Sequence, residues 1–75
     1  MVTIHREAKW KIAMYGGEHG VPHFHIEGPG FRCSVAIADL EVIVGSAPRA
    51  VRIPALEWAM AHLPELQAEW ERLNP

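Results

Sequence analysis

"HFHIEGPGFRCSVAIA", residues 23–38, decides the fold of this chain. Two runs alternate apolar and polar residues with the period of two that a half-buried strand requires, and the "GPG" between them is a turn by composition. In the first run Phe24 and Ile26 oppose His23, His25 and Glu27; in the second Phe31, Cys33, Val35 and Ile37 oppose Arg32, Ser34, Ala36 and Ala38. Residues directly opposite on paired strands share a face. Setting Ile26 across from Phe31, Phe24 from Cys33, His25 from Arg32 and His23 from Ser34 gathers every large apolar side chain on one side. A one-residue slip turns several of them outward, each at roughly 1.5–3 kcal/mol of lost burial. The expectation is an apolar face holding Cys33, and an open face carrying Lys11, Tyr15, His23, His25, Glu27 and Arg32.

Upstream, "KWKIAMY" (9–15) alternates in the same way, with Trp10, Ile12 and Met14 on one face, and "GGEHGVP" (16–22) is a loop by its three glycines and proline. Downstream, "EVIV" (41–44) follows a tight "ADL" corner and ends at "GSAP". Strands in series with short connections read as an antiparallel meander. The rest is helical. Leu63, Leu66, Trp70 and Leu73 recur at spacings of three and four, with Pro64 in a first turn, where its missing N–H costs nothing. An earlier helix from about Pro54 to His62 presents Leu56, Ala59, Met60 and Leu63, and the two meet at a bend near Leu63. The predicted fold is α+β, one domain over residues 1–75. Its sheet, about 9–44, is a three- to four-stranded antiparallel meander, with one bent or two short C-terminal helices, about 54–73, packed on one face. Trp58 and Trp70 read as helix-to-sheet packing, His5 as part of a mobile N-terminal segment, and His62 as a residue favourably placed at a helix C-terminus.

Composition narrows the function classes. A formal charge of −2 argues against holding nucleic acid by bulk electrostatics. A single cysteine excludes an intramolecular disulfide and any zinc site built on several thiolates. The start, "MVTIHREAKW", carries charges where a secretory signal needs an apolar run, and no apolar stretch is long enough to span a membrane. The expectation is a small soluble cytoplasmic protein.

"EHGVPHFHIEG" (18–28) concentrates three of the five histidines. Two imidazoles separated by one residue on a strand can aim at a single ion, with His19 or Glu27 as the third donor, a set that suits a divalent transition metal such as zinc. The metal candidates are thus His19, His23, His25 and Glu27. A second reading has the same histidines as general acid and base, with Lys11 and Arg32 holding a phosphate of RNA. A third makes this face an interaction surface for a protein partner or for self-association, which a short chain with a modest core favours. "GEHGVPHFH" also matches the opening of a cupin metal motif, but Pro29 or Gly30 stands where that motif needs glutamate. The histidine-triad signature fails because Glu27 replaces the third histidine.

The order of motifs, an early "I-x-M-Y", "EHGVPHFHIE", "VAIADLEVIVG" and "LEWAMAHLPELQAEWE", resembles a small bacterial domain-of-unknown-function family, number 4160, from about Thr3 to Leu73. The resemblance implies a compact α+β domain with no established activity, sometimes considered half of a toxin–antitoxin-like pair. It also implies shared polar positions at His19, His23, His25 and His62. Pro54 and Pro64 depart from the uninterrupted helix usual in that family. The leading expectation is accordingly an interaction module without an assigned reaction, with metal binding or RNA cleavage at the histidine cluster as the alternative.

Overall fold

A computed structural model describes all of residues 1–75. β1 (Val2–Arg6), β2 (Lys11–Met14), β3 (His23–Gly28), β4 (Phe31–Ala36) and β5 (Val42–Ser46) form one antiparallel sheet in sequence order, followed by α1 (Arg49–Ala61) and α2 (Leu63–Leu73). The meander and the α+β class are as predicted, but the sheet has five strands rather than three or four. The extra strand is β1. Its register to β2 runs Val2↔Met14 and Thr3↔Ala13, then His5↔Ile12 and Arg6↔Lys11. The additional residue, Ile4, is a β-bulge, and a bulge switches the face of everything beyond it. "VTIHR" alternates only over Val2–His5 before the charged Arg6 and Glu7, a run too short to have been read as a strand, and His5 belongs to an ordered strand rather than a mobile segment.

The hairpin register also needs correcting. Ile26 pairs with Cys33, Phe24 with Val35, His25 with Ser34, His23 with Ala36 and Glu27 with Arg32. Each pairing sits two residues from the predicted one because the turn is as short as a turn can be. Gly28 pairs with Phe31 around Pro29 and Gly30, and Gly30 has φ of 79°. Proline followed by a residue of positive φ is the signature of a type II turn. A shift of two preserves which face each side chain occupies, so the apolar face is as expected.

That face packs under the helices. Ile12, Met14, Phe24, Ile26, Cys33 and Val35 meet Ala55 and Ala59 of α1 and Leu66 and Trp70 of α2 in one cluster. Cys33 is a buried free thiol, and burial pushes its pKa up, which leaves it an inert apolar residue. The first helix begins at Arg49 rather than Pro54, so Pro54 lies inside it. Val51, one turn before Pro54, packs against the core and carries the helix upstream of the proline. Met60, predicted to face the core, is 65% exposed. The chain bends at His62, between the helices.

His5 and His62 are both tied to Trp58. His5 stacks on the indole at 4.7 Å and His62 at 4.0 Å. His62 Nδ1–H donates to the Trp58 carbonyl at 2.7 Å, and its backbone N–H to Ala59 closes α1. These two imidazoles fasten β1 to the end of α1. No helix is long and apolar enough to cross a membrane.

Candidate functional site

The sheet face away from the helices is not an open surface at its centre. His23 and His25 are only 9% and 6% exposed, contrary to the open placement expected from the sequence. Three neighbours bury them. Tyr15, where β2 leaves the sheet, sets its ring edge-on to His25 at 4.8 Å. Trp70 of α2 reaches the end of the sheet where β3 begins, and its ring lies 4.9 Å from that of His23. The glycine-rich loop between β2 and β3 folds back so that Glu18 covers both imidazoles.

The hydrogen bonds orient both rings. His23 Nδ1 lies 2.8 Å from the Val21 carbonyl. A carbonyl only accepts, so Nδ1 donates here and Nε2 is the ring nitrogen turned toward the carboxylate. His25 Nδ1 lies 3.2 Å from Ser34 Oγ, its cross-strand partner. Both Nε2 atoms then point to one carboxylate oxygen: Glu18 Oε1 is 3.0 Å from His25 Nε2 and 3.6 Å from His23 Nε2. The three donor atoms lie within 4.8 Å of one another. A tetrahedral ion about 2.05 Å from each would bring them to about 3.3 Å apart, a rotamer adjustment for two rings and a loop side chain.

Of the four metal candidates from the sequence, His23 and His25 come together here. His19 is exposed at the mouth of the cleft. Glu27 is engaged elsewhere: it accepts from Tyr15 Oη at 2.6 Å and pairs with Arg32 Nε at 3.0 Å and Lys11 Nζ at 3.8 Å. The carboxylate between the imidazoles is Glu18, which sequence reasoning passed over for its neighbour. The cause lies at the far end of the chain. Asn74 Oδ1 accepts from the Glu18 backbone N–H at 2.9 Å, while Asn74 Nδ2 donates to the carbonyls of Tyr15 and Trp70 at 3.3 Å. This clamp fixes the loop with Glu18 turned inward and His19 outward. Its residues are 56 positions apart.

Protonation favours the same arrangement. The His25 imidazole titrates below its ordinary value because burial penalises its cation, a cost the Glu18 carboxylate only partly offsets. Glu18 titrates below the usual carboxylate range, chiefly through its hydrogen bond with His25. Near neutral pH the carboxylate is ionised and His25 neutral. An unfolded chain takes up the His25 proton first, so stability declines as pH falls through about 6.5 toward the lowered folded value. Glu18 adds stability that is present above its unfolded pKa and lost as pH falls through its folded one. The melting temperature of metal-free protein is expected to fall between pH 7.5 and 5 and to fall less in His25→Asn. A melting temperature independent of pH across that interval would contradict this assignment.

The family profile described as Domain of unknown function (DUF4160) matches residues 10–71, and the chain belongs to that family. No curated protein and no solved structure matches it.

Proposed function

We propose that this DUF4160 domain binds a divalent transition metal ion such as zinc through Glu18 Oε1, His23 Nε2 and His25 Nε2. The observation that carries the reading is the occupancy of the two Nδ1 atoms. Each is held by an outer partner, the Val21 carbonyl or Ser34 Oγ, while both Nε2 atoms converge on one carboxylate oxygen. Metal-ligating histidines are oriented in this way, and the outer bond sets the ring that the ion meets. Two imidazoles and a carboxylate are a recurrent donor set for zinc and for non-haem iron. Three protein donors leave at least one position for water or an exchangeable ligand, unlike a closed structural site.

Untagged protein is expected to retain about one equivalent of metal through gel filtration, and the double variant His23→Ala/His25→Ala none. Since metal binds the folded state, saturation at a hundredfold excess over Kd adds about 2.7 kcal/mol. That corresponds to about 10–20 °C in melting temperature for a domain of this size. Substoichiometric metal, together with a melting temperature that zinc does not raise, would overturn the reading.

One observation favours the interaction reading as a second function. β5 is an edge strand, and Val42, Ile43 and Val44 on it are 40%, 51% and 64% exposed. An unpaired edge with apolar side chains offers a template for an added strand.

A further inference from the structure

We infer that the same site binds a small oxyanion, a phosphate or carboxylate group, with one oxygen in the open position of the metal and another on the guanidinium of Arg32. The inference rests on the metal reading and names the class of ligand the ion would hold.

A concavity of about 370 Å³ runs from Glu18 and His25 along the β4–β5 edge to Arg32, floored by Ser34 and Gly45 and walled by Val44. The register explains why its two ends carry those groups. His25 pairs with Ser34 and Glu27 with Arg32, so Arg32 stands two residues along β4 from Ser34 on the same face as the imidazoles. Arg32 is exposed yet held in place. Its Nε pairs with Glu27 at 3.0 Å, and its guanidinium carbon rests 5.1 Å from the centre of the Tyr15 ring, the ring that also supports His25. Its ionic contact uses Nε, which leaves the two terminal nitrogens as the fork that recognises oxyanions. The lengths agree. A metal–oxygen bond of about 2 Å, the width of the anion and an N–H···O contact near 2.9 Å together span roughly 7 Å.

Charge decides the sign and the order of binding. Without an ion, Glu18 and Glu27 balance Lys11 and Arg32 across this face, and an anion gains nothing. A divalent ion leaves the face with an excess of positive charge, so oxyanion binding depends on prior metal loading. The exposed apolar side chains of Ile43 and Val44 flank the cleft and suit an organic substituent on the anion.

Cobalt(II) serves as a coloured probe of the site. Protein loaded with cobalt and freed of excess ion is titrated with inorganic phosphate in one arm and acetate in another, following the visible absorption of the bound ion. At least one anion is expected to shift the spectrum at millimolar concentration or below, and the arm that does so at lower concentration identifies the preferred group. Arg32→Met is expected to keep the cobalt spectrum and lose at least tenfold in anion affinity. If the wild type takes up no cobalt, the metal reading fails. If it takes up cobalt but neither anion changes the spectrum, this inference alone fails. Anion binding of equal strength in Arg32→Met, or in metal-free protein followed by titration calorimetry, also overturns it.

Discussion

Trp70→Ala is expected to cost about 3–5 kcal/mol of folding stability, the range for removing a large aromatic from a packed core. A small domain has about 5–15 kcal/mol in total, so this single change approaches the limit of foldability. The indole is 7% exposed and belongs to the one core cluster, where it packs with Leu66 against the sheet. It also meets the His23 ring at the end of β3. Its deletion leaves a cavity under α2, where Leu66 and Trp70 are the helix's two buried residues. At 4–8 °C per kcal/mol, the melting temperature should fall by about 12 °C or more. Circular dichroism melts and urea denaturation measure this directly. Trp70→Phe, which keeps a ring against Leu66, should lose markedly less. A Trp70→Ala protein melting within about 3 °C of wild type would show that α2 is not anchored there.

How far the sequence could be read follows from which contacts are local. β2, β3 and β4 were legible because Ile12, Met14, Phe24, Ile26, Cys33 and Val35 obey a strict period of two, and one buried face enforces it. The α2 stripe was legible for the corresponding helical reason, with Leu66 and Trp70 buried four residues apart. The Pro29–Gly30 turn moved the pairing by two residues without disturbing either face. β1 was passed over because only four residues, Val2–His5, alternate before the charged Arg6 and Glu7, and its reward lies in the stacking of His5 on Trp58, 53 positions away. The start of α1 was obscured by a proline rule that is right on average. Here the packing of Val51 outweighs the hydrogen bond lost at Pro54.

The candidate site divides along the same line. That His23 and His25 share a face is a property of one strand and could be stated from five residues. That they are buried depends on Tyr15, Trp70 and a loop returning over them, and that Glu18 rather than His19 faces inward depends on Asn74. Neighbours in a glycine-rich loop have no period to order them, so only a contact from elsewhere can choose between them. The cluster lies where the sheet, the loop and the end of α2 meet.

Gly45→Ala tests the β5 side of that site, and its expected cost is about 2–4 kcal/mol from two sources that act together. Gly45 has φ of 80°, a left-handed conformation that a side chain strains. It also pairs with Cys33, and a Cβ atom there would stand 2.3 Å from the Arg32 carbonyl oxygen and 3.0 Å from Cys33 Cα. Those atoms are backbone of β4, fixed by the core on their other side, so β4 cannot yield. β5 can: all five of its residues are exposed, and peeling it away sacrifices backbone hydrogen bonds but little apolar burial. The cost of local detachment therefore caps the loss and keeps the variant folded. The expected signature is uneven. Hydrogen exchange should accelerate at β4 and β5 amides that bond across this pair, while β2, β3 and α2 keep their protection. The melting temperature should fall by about 8–16 °C if the cost is near 2 kcal/mol. Because Val44 and Gly45 line the cleft beside His25 and Arg32, oxyanion affinity should fall with them, whereas Glu18, His23 and His25, carried by the loop and β3, should still hold the ion. Protection factors in β4 and β5 unchanged from wild type would mean that the strand accommodates a side chain at residue 45, and that the close approach to Arg32 does not constrain the edge.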